Sequence, residues 1–465
     1  MRKLNERLYA VAPKQLQNLA VTYYAYKLYR REYGKKFFEA LEEFDKTQWY
    51  SEEQLREYQN EKFRNLIRHA YENVPYYRKK MGELKLNIDD FKGVDDLQKM
   101  PILSREDVKK NLKDLLAVNH KMSQMVQGHT NGTTGSPLEL FWDKNACRVK
   151  NVVDWRQKQI AGVKFGDKIA LFLGREVVPV NKNKPPFWRF NAVFNHLLFS
   201  TYHLSMENAP IYLKKLRSFQ PLAIEGYPSS LYLIALFVNE LKQTLPLKAV
   251  FCSSEPLLDY QREAIEKAFE CKVFDFYGMA ERVVFASECE VHTGKHLNSD
   301  YGITEIHLPD GSPAPIGTLG RIVATGLHNY AMPLIRYQTS DFTAIKGGKC
   351  SCGRAFPQME NITVRDVEIM KARDGRYIIP AIMSGIYAHL TSIYELQFIQ
   401  EERDYIIVNI VKKPNYVESD GEHITGELRR LFGDTLRVEI KYVESIPRTK
   451  AGKYRWMISK VPLNI

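Results

Sequence analysis

The sequence predicts an α/β protein with a large N-terminal domain built on mostly parallel sheets and a small α+β C-terminal domain. From about residue 121 to 365, short apolar runs such as KIALFLG (168–174) alternate with helical stretches such as LDYQREAIEKAFE (258–270). Alternation of strands and helices is typical of a parallel sheet with helical crossovers. Beyond Arg365 the pattern shifts to alternating strands, as in YIIVNIVKK (405–413), which favours a separate α+β unit.

The chain divides into three predicted regions. Residues 1–120 are predicted to form a mostly helical segment packed on the large domain. Within it, SEEQLREYQNEKFRNLIRHAYENV (51–74) begins with a serine cap and repeats apolar residues at helical spacing. Residues 121–366 are predicted to form the core of the large domain, and residues 367–465 the small C-terminal domain.

The composition indicates a globular protein of a reducing compartment. The chain has 465 residues, of which 44% are hydrophobic, enough to bury a sizeable core. It lacks the long apolar run of a membrane span and the apolar core of a signal peptide, so we expect a cytoplasmic location. Six cysteines are too few for a disulfide framework in a chain of this length, and we expect free or metal-bound thiols.

Much of the net charge of +12 lies in residues 1–36, which contain nine Lys or Arg, two Glu and six Tyr. A basic, tyrosine-rich helix fits peripheral contact with an anionic membrane, such as the inner face of a cell membrane. A solvated helix that packs on the body through its tyrosines is the alternative. No zinc-finger, helix-turn-helix or RNA-binding signature accompanies the charge, so nucleic acid is not an expected partner.

The stretch HTNGTTGSPLEL (129–140) places two glycines among hydroxyl-bearing residues. Backbone amides and hydroxyls in such a loop form a concave site for phosphate oxygens, and glycine lets the backbone approach them closely. Gly135 is followed by Ser136 and Pro137 rather than by Lys and Ser/Thr, which disfavours the phosphate loop of simple NTPases. An ordinary turn is the alternative for this stretch taken alone.

Five stretches in a fixed order resemble the motifs of the adenylate-forming superfamily. They are TNGTTGSP (130–137), FDFYGMAE (274–281), PLIRYQTSD (333–341), VRDVE (364–368) and PRTKAGKYR (447–455). Within that superfamily the chain resembles the phenylacetate-coenzyme A ligase branch, especially its relatives in capsular polysaccharide biosynthesis. The resemblance covers nearly the whole chain and implies a mobile C-terminal domain. It also implies that a carboxylate attacks the α-phosphate of ATP, that pyrophosphate leaves, and that a thiol then accepts the acyl group.

The resemblance assigns nucleotide contacts to residues of these stretches. Hydroxyls and amides of the glycine loop are expected on the β- and γ-phosphates of ATP, and the residues are Thr130, Gly132, Thr133, Thr134 and Gly135. Tyr277, followed by Gly278, is expected against the adenine, and Glu281 on the Mg²⁺ that bridges the phosphates. Asp341 is expected to accept both ribose hydroxyls, and Arg365 to contact ribose or phosphate. Arg336 is predicted to be structural.

Lys453, in PRTKAGKYR, carries the strongest expectation for catalysis. An ammonium group between the carboxylate and the α-phosphate neutralises both anions during adenylation. Glu281 and Thr133 are expected to share in the chemistry. The chain departs from the family pattern at Asn131, Ser136, Val364 and Glu368, the last at the hinge where Asp is usual. We therefore expect a different hinge motion, and either weaker phosphate affinity or a pyrophosphate grip elsewhere.

Cysteine and histidine residues form a second constellation. SECEVHTGKH (287–296) contains one cysteine and two histidines, and KCSCGR (349–354) contains two cysteines. The branch that this chain resembles places its histidine two residues after a glycine, which selects His296 over His292. A closed, structural Zn²⁺ site is then expected from Cys289, His296, Cys350 and Cys352. Unrelated free cysteines are the alternative. The remaining cysteines, predicted to be core residues, are Cys147, Cys252 and Cys271.

The acyl pocket is predicted between the glycine loop and the Tyr277 stretch. FNHLLFSTYHL (194–204) and EGYPSSLY (225–232) lie there, with His196, Tyr227 and Ser229 as candidate pocket residues. Their mixture of aromatic and polar groups is compatible with an aryl, short-chain or amino-bearing acid. The same strips also fit a sheet core.

Three functions stay open at this point. The first is an ATP-dependent, AMP-forming acid-thiol ligase that uses coenzyme A as acceptor, with Mg²⁺ and structural Zn²⁺. The second delivers the same adenylate to a carrier-protein thiol or a sugar amine in surface polysaccharide assembly. The third is a non-catalytic, membrane-associated scaffold, which has no physical need for Lys453, Glu281 and Asp341 together. A homodimer is compatible with each of the three.

Overall fold

The structure, a computed structural model, describes residues 8–130, 138–308, 310–362, 370–378, 380–387, 390, 392–447 and 455–461. The helices are α1 (Lys14–Glu32), α2 (Lys35–Thr47), α3 (Glu52–Asn73), α4 (Pro75–Glu83), α5 (Arg105–Lys110), α6 (Lys144–Ile160), α7 (Ala209–Phe219), α8 (Pro228–Glu240), α9 (Asp259–Phe269), α10 (Pro380–Tyr387) and α11 (Glu418–Phe432). Short 3₁₀ helices span Ile88–Asp90, Val94–Lys99, Met122–Gln124 and Thr201–His203. Among the described helices, none has the length and apolar character needed to cross a membrane.

The strands are β1 (Val126–His129), β2 (Glu139–Trp142), β3 (Ile169–Phe172), β4 (Trp188–Asn191), β5 (His196–Phe199), β6 (Ala223–Gly226), β7 (Ala249–Ser253), β8 (Val273–Gly278), β9 (Phe285–Glu288), β10 (Lys295–Leu297), β11 (Gly302–His307), β12 (Gly320–Gly326), β13 (Tyr337–Thr343), β14 (Ile345–Lys346), β15 (Gln358–Met359), β16 (Met370–Lys371), β17 (Tyr377–Ile378), β18 (Ile393–Glu402), β19 (Tyr405–Lys412), β20 (Arg437–Tyr442) and β21 (Met457–Ser459). Ten of them form one large sheet in the order β14-β15-β10-β9-β8-β7-β6-β3-β5-β4.

The predicted helix in the first region begins where its cap signal stands. Ser51 Oγ accepts from the Gln54 amide at 3.2 Å, and Gln54 Oε1 accepts from the Ser51 amide at 2.9 Å. This capping box satisfies two amides that would otherwise lack partners at the start of α3. The apolar positions of α3, among them Phe63 and Leu66, are fully buried.

The large sheet is parallel in its centre and antiparallel at both edges. Strands β8, β7, β6, β3 and β5 run parallel, as the alternation of strands and helices predicts. The outer pairs β4–β5 and β8–β9 are antiparallel. Only short connections join the strands of each outer pair, and a parallel pairing needs a longer crossover.

Helices cover both faces of the parallel centre. On one face, α6 packs Val149, Val152 and Val153 against sheet residues such as Ile169 and Phe251. On the other face, side chains of α7, α8 and α9 pack against the alternate sheet residues, including Phe172 and Val250. Ligands collect at the carboxyl edge of such a sheet, which here is formed by the ends of β6, β7 and β8.

Smaller sheets complete the described architecture. Strands β11, β12 and β13 form an antiparallel three-stranded sheet. Towards the C-terminus, β20, β19, β18 and β21 form a four-stranded mixed sheet, with α11 between β19 and β20 in the chain. Ile424 and Leu428 of α11 lie in one buried cluster with Val408 of β19. This arrangement is the α+β pattern that the alternating strands predict.

Candidate active site

The first pair of predicted nucleotide residues meets where β8 ends. Tyr277 lies one residue before the end of β8, and its hydroxyl donates to Asp341 Oδ2 on β13 at 2.7 Å. Burial raises the pKa of Tyr277 well above its ordinary value, so the phenol keeps its proton and remains a donor. The Asp341 amide donates to Thr339 Oγ1 at 3.1 Å, which fixes this part of β13. Two residues from separate motifs are therefore in direct contact, and Gly278 pairs with Phe285 beside them.

Glu281 lies in the turn between β8 and β9 and is only 8% exposed. Its Oε1 accepts a hydrogen bond from the Tyr337 hydroxyl at 2.9 Å, and Arg105 Nη1 lies 3.9 Å away. Burial raises the pKa of Glu281, and this effect exceeds the opposing effects of the Tyr337 bond and the Arg105 charge. Because desolvation outweighs these two stabilising contacts, the buried carboxylate is suited to binding a cation, which would offset the cost of desolvation.

Sequence reasoning missed Arg105, which brings a cation from the helical segment to the centre of the site. Arg105 Nη2 donates to Thr130 Oγ1 at 2.9 Å, and Nη1 faces Glu281. One signal was available: Arg105 is the first residue of α5, directly after the cap Ser104. The helix dipole favours acids at that position, but Lys14, Lys35 and Lys144 also open helices of this chain, so the signal does not distinguish Arg105.

The segment before α5 explains how Arg105 reaches the site. Leu103 forms a parallel bridge with Tyr337, donating to the Arg336 carbonyl at 2.9 Å and accepting from the Gln338 amide at 2.9 Å. Arg336 is buried, pairs with Glu305 at 2.9 Å and donates to the Met100 carbonyl at 2.8 Å. The predicted structural role of Arg336 therefore has a definite form: it anchors the chain that carries Arg105.

Hydrogen bonds between Thr130 and Leu138 close the base of the glycine loop. The Thr130 amide donates to the Leu138 carbonyl at 3.0 Å, and the Leu138 amide donates to Thr130 Oγ1 at 3.0 Å. Thr130 thus accepts from both the loop base and Arg105. The other predicted nucleotide, hinge and catalytic residues lie outside the described residues, namely Gly132, Thr133, Thr134, Gly135, Arg365, Glu368 and Lys453. The departures Asn131, Ser136 and Val364 also lie outside them.

Two of the three acyl-pocket candidates lie at the carboxyl edge of the sheet. Tyr227 follows β6, and Ser229 is in the first turn of α8. The Ser229 amide donates to Glu255 Oε2 at 3.1 Å, and the buried Ser229 hydroxyl has no hydrogen-bond partner among the described residues. Burial raises the pKa of Tyr227, and the Glu255 charge adds to the effect. An unpaired, buried hydroxyl beside a tyrosine is suited to a polar group of a bound acid.

The structure does not place His196 with these candidates. His196 opens β5 and pairs with Ile169 at the amino end of the parallel strands, opposite the edge where Tyr227 and Ser229 lie. Its ring stacks on Phe194, and it faces Lys158 and Asp154 of α6. Burial lowers the pKa of His196 to about 3. His196 therefore lies apart from the other two acyl-pocket candidates, because apolar runs alone do not show which end of a strand a residue occupies.

The predicted cysteine and histidine ligands converge at the antiparallel edge of the large sheet. The donor atoms of Cys289, His296, Cys350 and Cys352 all lie within 4.8 Å of one another. Cys289 Sγ lies 3.7 Å from Cys350 Sγ, and Cys352 Sγ lies 3.4 Å from His296 Nε2. Zinc–sulfur bonds of about 2.3 Å in a tetrahedron separate two sulfurs by about 3.8 Å, so these spacings fit Zn²⁺.

Neighbouring groups orient the donors of this cluster. His296 Nδ1 is 2.9 Å from the Phe356 carbonyl, which leaves Nε2 as the ring nitrogen for a metal. Gly353 has a positive φ of 83° and its amide donates to the Cys350 carbonyl at 3.2 Å, which closes the tight turn around the two cysteines. His292 points elsewhere, with Nδ1 3.3 Å from Glu288 Oε2, so the choice of His296 agrees with the geometry. The other described cysteines lie outside the cluster: Cys147 and Cys252 are buried and Cys271 is partly buried.

Comparison with known proteins gives the same fold and the same relatives. The chain is 26% identical to protein CapK of Staphylococcus aureus over 98% of this chain and 99% of that protein. It is 28% identical to the phenylacetate-coenzyme A ligase of Escherichia coli K12, over 88% and 96%. Residues 370–460 match the family model of the CapK C-terminal domain.

Solved structures share the fold at lower sequence identity. The 2-hydroxyisobutyryl-CoA ligase in complex with 2-HIB-AMP and CoA has a TM-score of 0.57 and 20% identity, covering 88% of this chain and 91% of that one. The same ligase in the postadenylation state, with R3-HIB-AMP, has a TM-score of 0.55. The chain is thus similar over nearly its whole length to protein CapK and to the phenylacetate-coenzyme A ligases, and it shares the fold of a solved acyl-CoA ligase.

Proposed function

We propose that the protein activates a carboxylic acid with ATP to an acyl-adenylate and then transfers the acyl group to the thiol of coenzyme A. The observation that carries the proposal is the convergence of Tyr277, Glu281, Arg105 and Asp341 at one edge of the sheet. The homologous phenylacetate-coenzyme A ligases support the same reaction class.

The first step joins the acid to the nucleotide. A carboxylate oxygen of the acid attacks the α-phosphorus of ATP, the bond from that phosphorus to the bridging oxygen breaks, and pyrophosphate leaves. Negative charge grows on the phosphate oxygens, so fixed donors and cations at that place lower the barrier. Lys453 is proposed to neutralise the carboxylate and the α-phosphate. Thr133 is proposed to donate to the leaving phosphates, with Thr130, Gly132, Thr134 and Gly135.

Arg105 is proposed to supply a cation to the glycine loop, in which Ser136 rather than a lysine follows Gly135. Its guanidinium is held at the loop base by Thr130 and faces Glu281, so it brings positive charge to the loop that is expected to hold the phosphates. A planar fork is well suited to phosphate oxygens. The pyrophosphate grip that the sequence leaves unassigned is therefore proposed to come from the helical segment.

Glu281 is proposed to hold Mg²⁺, whose preference for hard oxygen ligands fits a buried carboxylate. When bound, this ion would neutralise charge on the phosphates. Tyr337 positions the Glu281 carboxylate through Oε1.

Tyr277 offers its ring to the adenine and holds Asp341 at Oδ2, and the second oxygen of Asp341 can accept from the ribose. Arg365 and Glu368 keep their proposed roles in ribose or phosphate contact and in the hinge.

In the second step a thiolate attacks the acyl carbon of the adenylate, the bond to the phosphate oxygen breaks, and AMP leaves. The tyrosine and the unpaired hydroxyl at the end of β6, Tyr227 and Ser229, are proposed to line the acyl pocket. A carrier-protein thiol or a sugar amine is the alternative acceptor, and it shares the whole first step. Coenzyme A dependence of the second step distinguishes the two.

The cluster of Cys289, His296, Cys350 and Cys352 is proposed to bind structural Zn²⁺. Four protein donors fill a tetrahedron and leave no position for a substrate, as in structural rather than catalytic zinc sites. The ion would join the end of β9 and β10 to the turn between β14 and β15. Its proposed role is to fix the antiparallel edge that begins with the Glu281 turn.

Pyrophosphate release from ATP and Mg²⁺ tests the proposal. A panel of carboxylic and amino acids is supplied with hydroxylamine as acceptor, for the wild type, Lys453→Ala and the matched control Lys413→Ala. We expect release with a particular acid, a loss of about 10³-fold in Lys453→Ala and near-normal rates in the control. Silence across a wide panel would instead support the scaffold.

A further inference from the structure

Helix α1 carries an apolar stripe on its solvent side. Leu16, Leu19, Tyr23 and Tyr26 follow one another at helical spacing, and they are 54%, 62%, 59% and 48% exposed. Residues three and four apart share a helix face, so these four side chains form a continuous strip along α1. Solvent-facing strips of helices on globular proteins are normally polar, and a large exposed apolar strip marks a contact surface.

The opposite face of α1 already fixes the helix to the protein. Asn18 Oδ1 accepts from the Phe190 amide at 3.1 Å, and the Ala192 amide donates to Thr22 Oγ1 at 3.3 Å, so α1 covers the edge strand β4. Tyr29 and Tyr33 pack on Phe165 and Phe194. The inward face accounts for these tyrosines, and the outward stripe has no packing role in the described structure.

Positive charge accompanies the stripe along α1. Between residues 8 and 36 the only acidic residue is Glu32, which is buried and accepts from Asn151 at 2.8 Å. Lys27 Nζ lies 4.5 Å from the Tyr23 ring centroid, so cation and aromatic are interleaved on the outer side. Arg30 is exposed one turn beyond Tyr26.

Lysine residues also lie beside β4, the edge strand that α1 covers. Lys215 Nζ lies 5.9 Å from the ring centroids of Trp188 and of Phe219, and Lys168 Nζ lies 5.6 Å from the Phe219 centroid. Like charges are therefore held near one another on the body next to α1. Such a surface attracts an extended anionic partner.

We propose that the outer face of α1, defined by Leu16, Leu19, Tyr23, Tyr26, Lys27 and Arg30, docks on the surface of an anionic lipid bilayer. Tyrosine and leucine side chains insert at the headgroup boundary, and Lys and Arg pair with lipid phosphates. A second copy of the chain fits less well, because a two-fold interface formed by this face would bring two basic surfaces together. The proposal rests on this face and is independent of the proposed chemistry.

Vesicle flotation of the full chain tests the proposal. The probes are phosphatidylcholine vesicles with and without phosphatidylglycerol. We expect flotation with the anionic vesicles and little with the neutral ones. The stripe variant L19S/Y23S and the charge variant K27E/R30E should each lose binding, by about tenfold or more for the charge variant.

Matched controls change the same chemistry on other surfaces. The variant I316S/L319S removes two exposed apolar side chains. The variant K79E/K92E reverses two exposed charges and has the same net charge as K27E/R30E. Both should float like the wild type, and melting curves should show that all four variants fold. Flotation of the stripe variant at the wild-type level, or no flotation of the wild type, would overturn the proposal. Dimers in light scattering that dissociate in L19S/Y23S would overturn it in favour of a second copy.

Discussion

The Cys–His cluster and the proposed nucleotide site differ in how their polar groups are satisfied. In the cluster, four donors point at one another at 3.4–3.7 Å for the closest pairs, spacings that suit a shared ion. In the nucleotide site the carboxylates already have partners, since Tyr337 donates to Glu281 and Tyr277 donates to Asp341. Four donors that converge on one point are suited to a structural ion. Carboxylates that are internally bonded yet keep lone pairs are suited to exchanging ligands.

Loss of the cluster should give the largest effect, and on stability. The variant C350S/C352S removes two thiolate ligands, and structural zinc contributes several kcal/mol to folding in small domains. We expect zinc content to fall from one ion per chain to near zero and Tm to fall by about 10 °C. Cys271→Ser is the control, because that thiol lies outside the cluster. Full stability without metal in C350S/C352S would remove the contrast between the two sites.

Arg105→Ala should affect the reaction and leave the fold intact. Removal of a cation from developing phosphate charge is expected to lower kcat/KM for ATP by about 10²-fold. Arg105→Lys should recover part of the rate, because lysine keeps the charge and loses the fork that reaches Thr130. The control is Lys109→Ala on the same helix, where the side chain pairs with Glu106. An unchanged ATP dependence in Arg105→Ala would contradict the proposed phosphate contact.

Tyr337→Phe should have a smaller effect on the same site. The hydroxyl that donates to Glu281 is removed, and a hydrogen bond to a charged group is worth about 1.5–3 kcal/mol. We expect the Mg²⁺ concentration for half-maximal rate to rise by about tenfold. Tyr212→Phe removes a comparable buried bond, to the Ser200 carbonyl at 2.6 Å, and should leave the Mg²⁺ dependence unchanged. Equal effects of the two substitutions would show a general loss of stability instead.

His196→Leu should give the smallest effect and none on acid selectivity. Burial lowers the pKa of His196 to about 3, so protonation below pH 6.5 favours the unfolded chain. The stability that wild type holds above that pH is lost as pH falls, by about 2 kcal/mol between pH 7 and pH 5. Urea unfolding of His196→Leu should lack this component. A changed acid preference in this variant would instead return His196 to the acyl pocket.

Particular residues show what sequence could and could not predict. The apolar runs predict the strands and their alternation with helices. The choice of His296 over His292 depends on the family resemblance alone. Arg105 was missed because its position depends on the bridge between Leu103 and Tyr337, which joins segments more than two hundred residues apart. The separation of His196 from Tyr227 and Ser229 could not be predicted, because a strand assignment does not say which end of the strand faces the ligand edge. The antiparallel edges likewise depend on tertiary pairing.

The central claim is that the acid attacks the α-phosphorus of ATP. The most direct test uses the acid found in the panel, with its carboxylate labelled with heavy oxygen, and mass spectrometry of the nucleotide product. Attack at the α-phosphorus predicts that AMP carries a single labelled oxygen after acyl transfer to coenzyme A. Unlabelled AMP, or label in inorganic phosphate, would contradict the account.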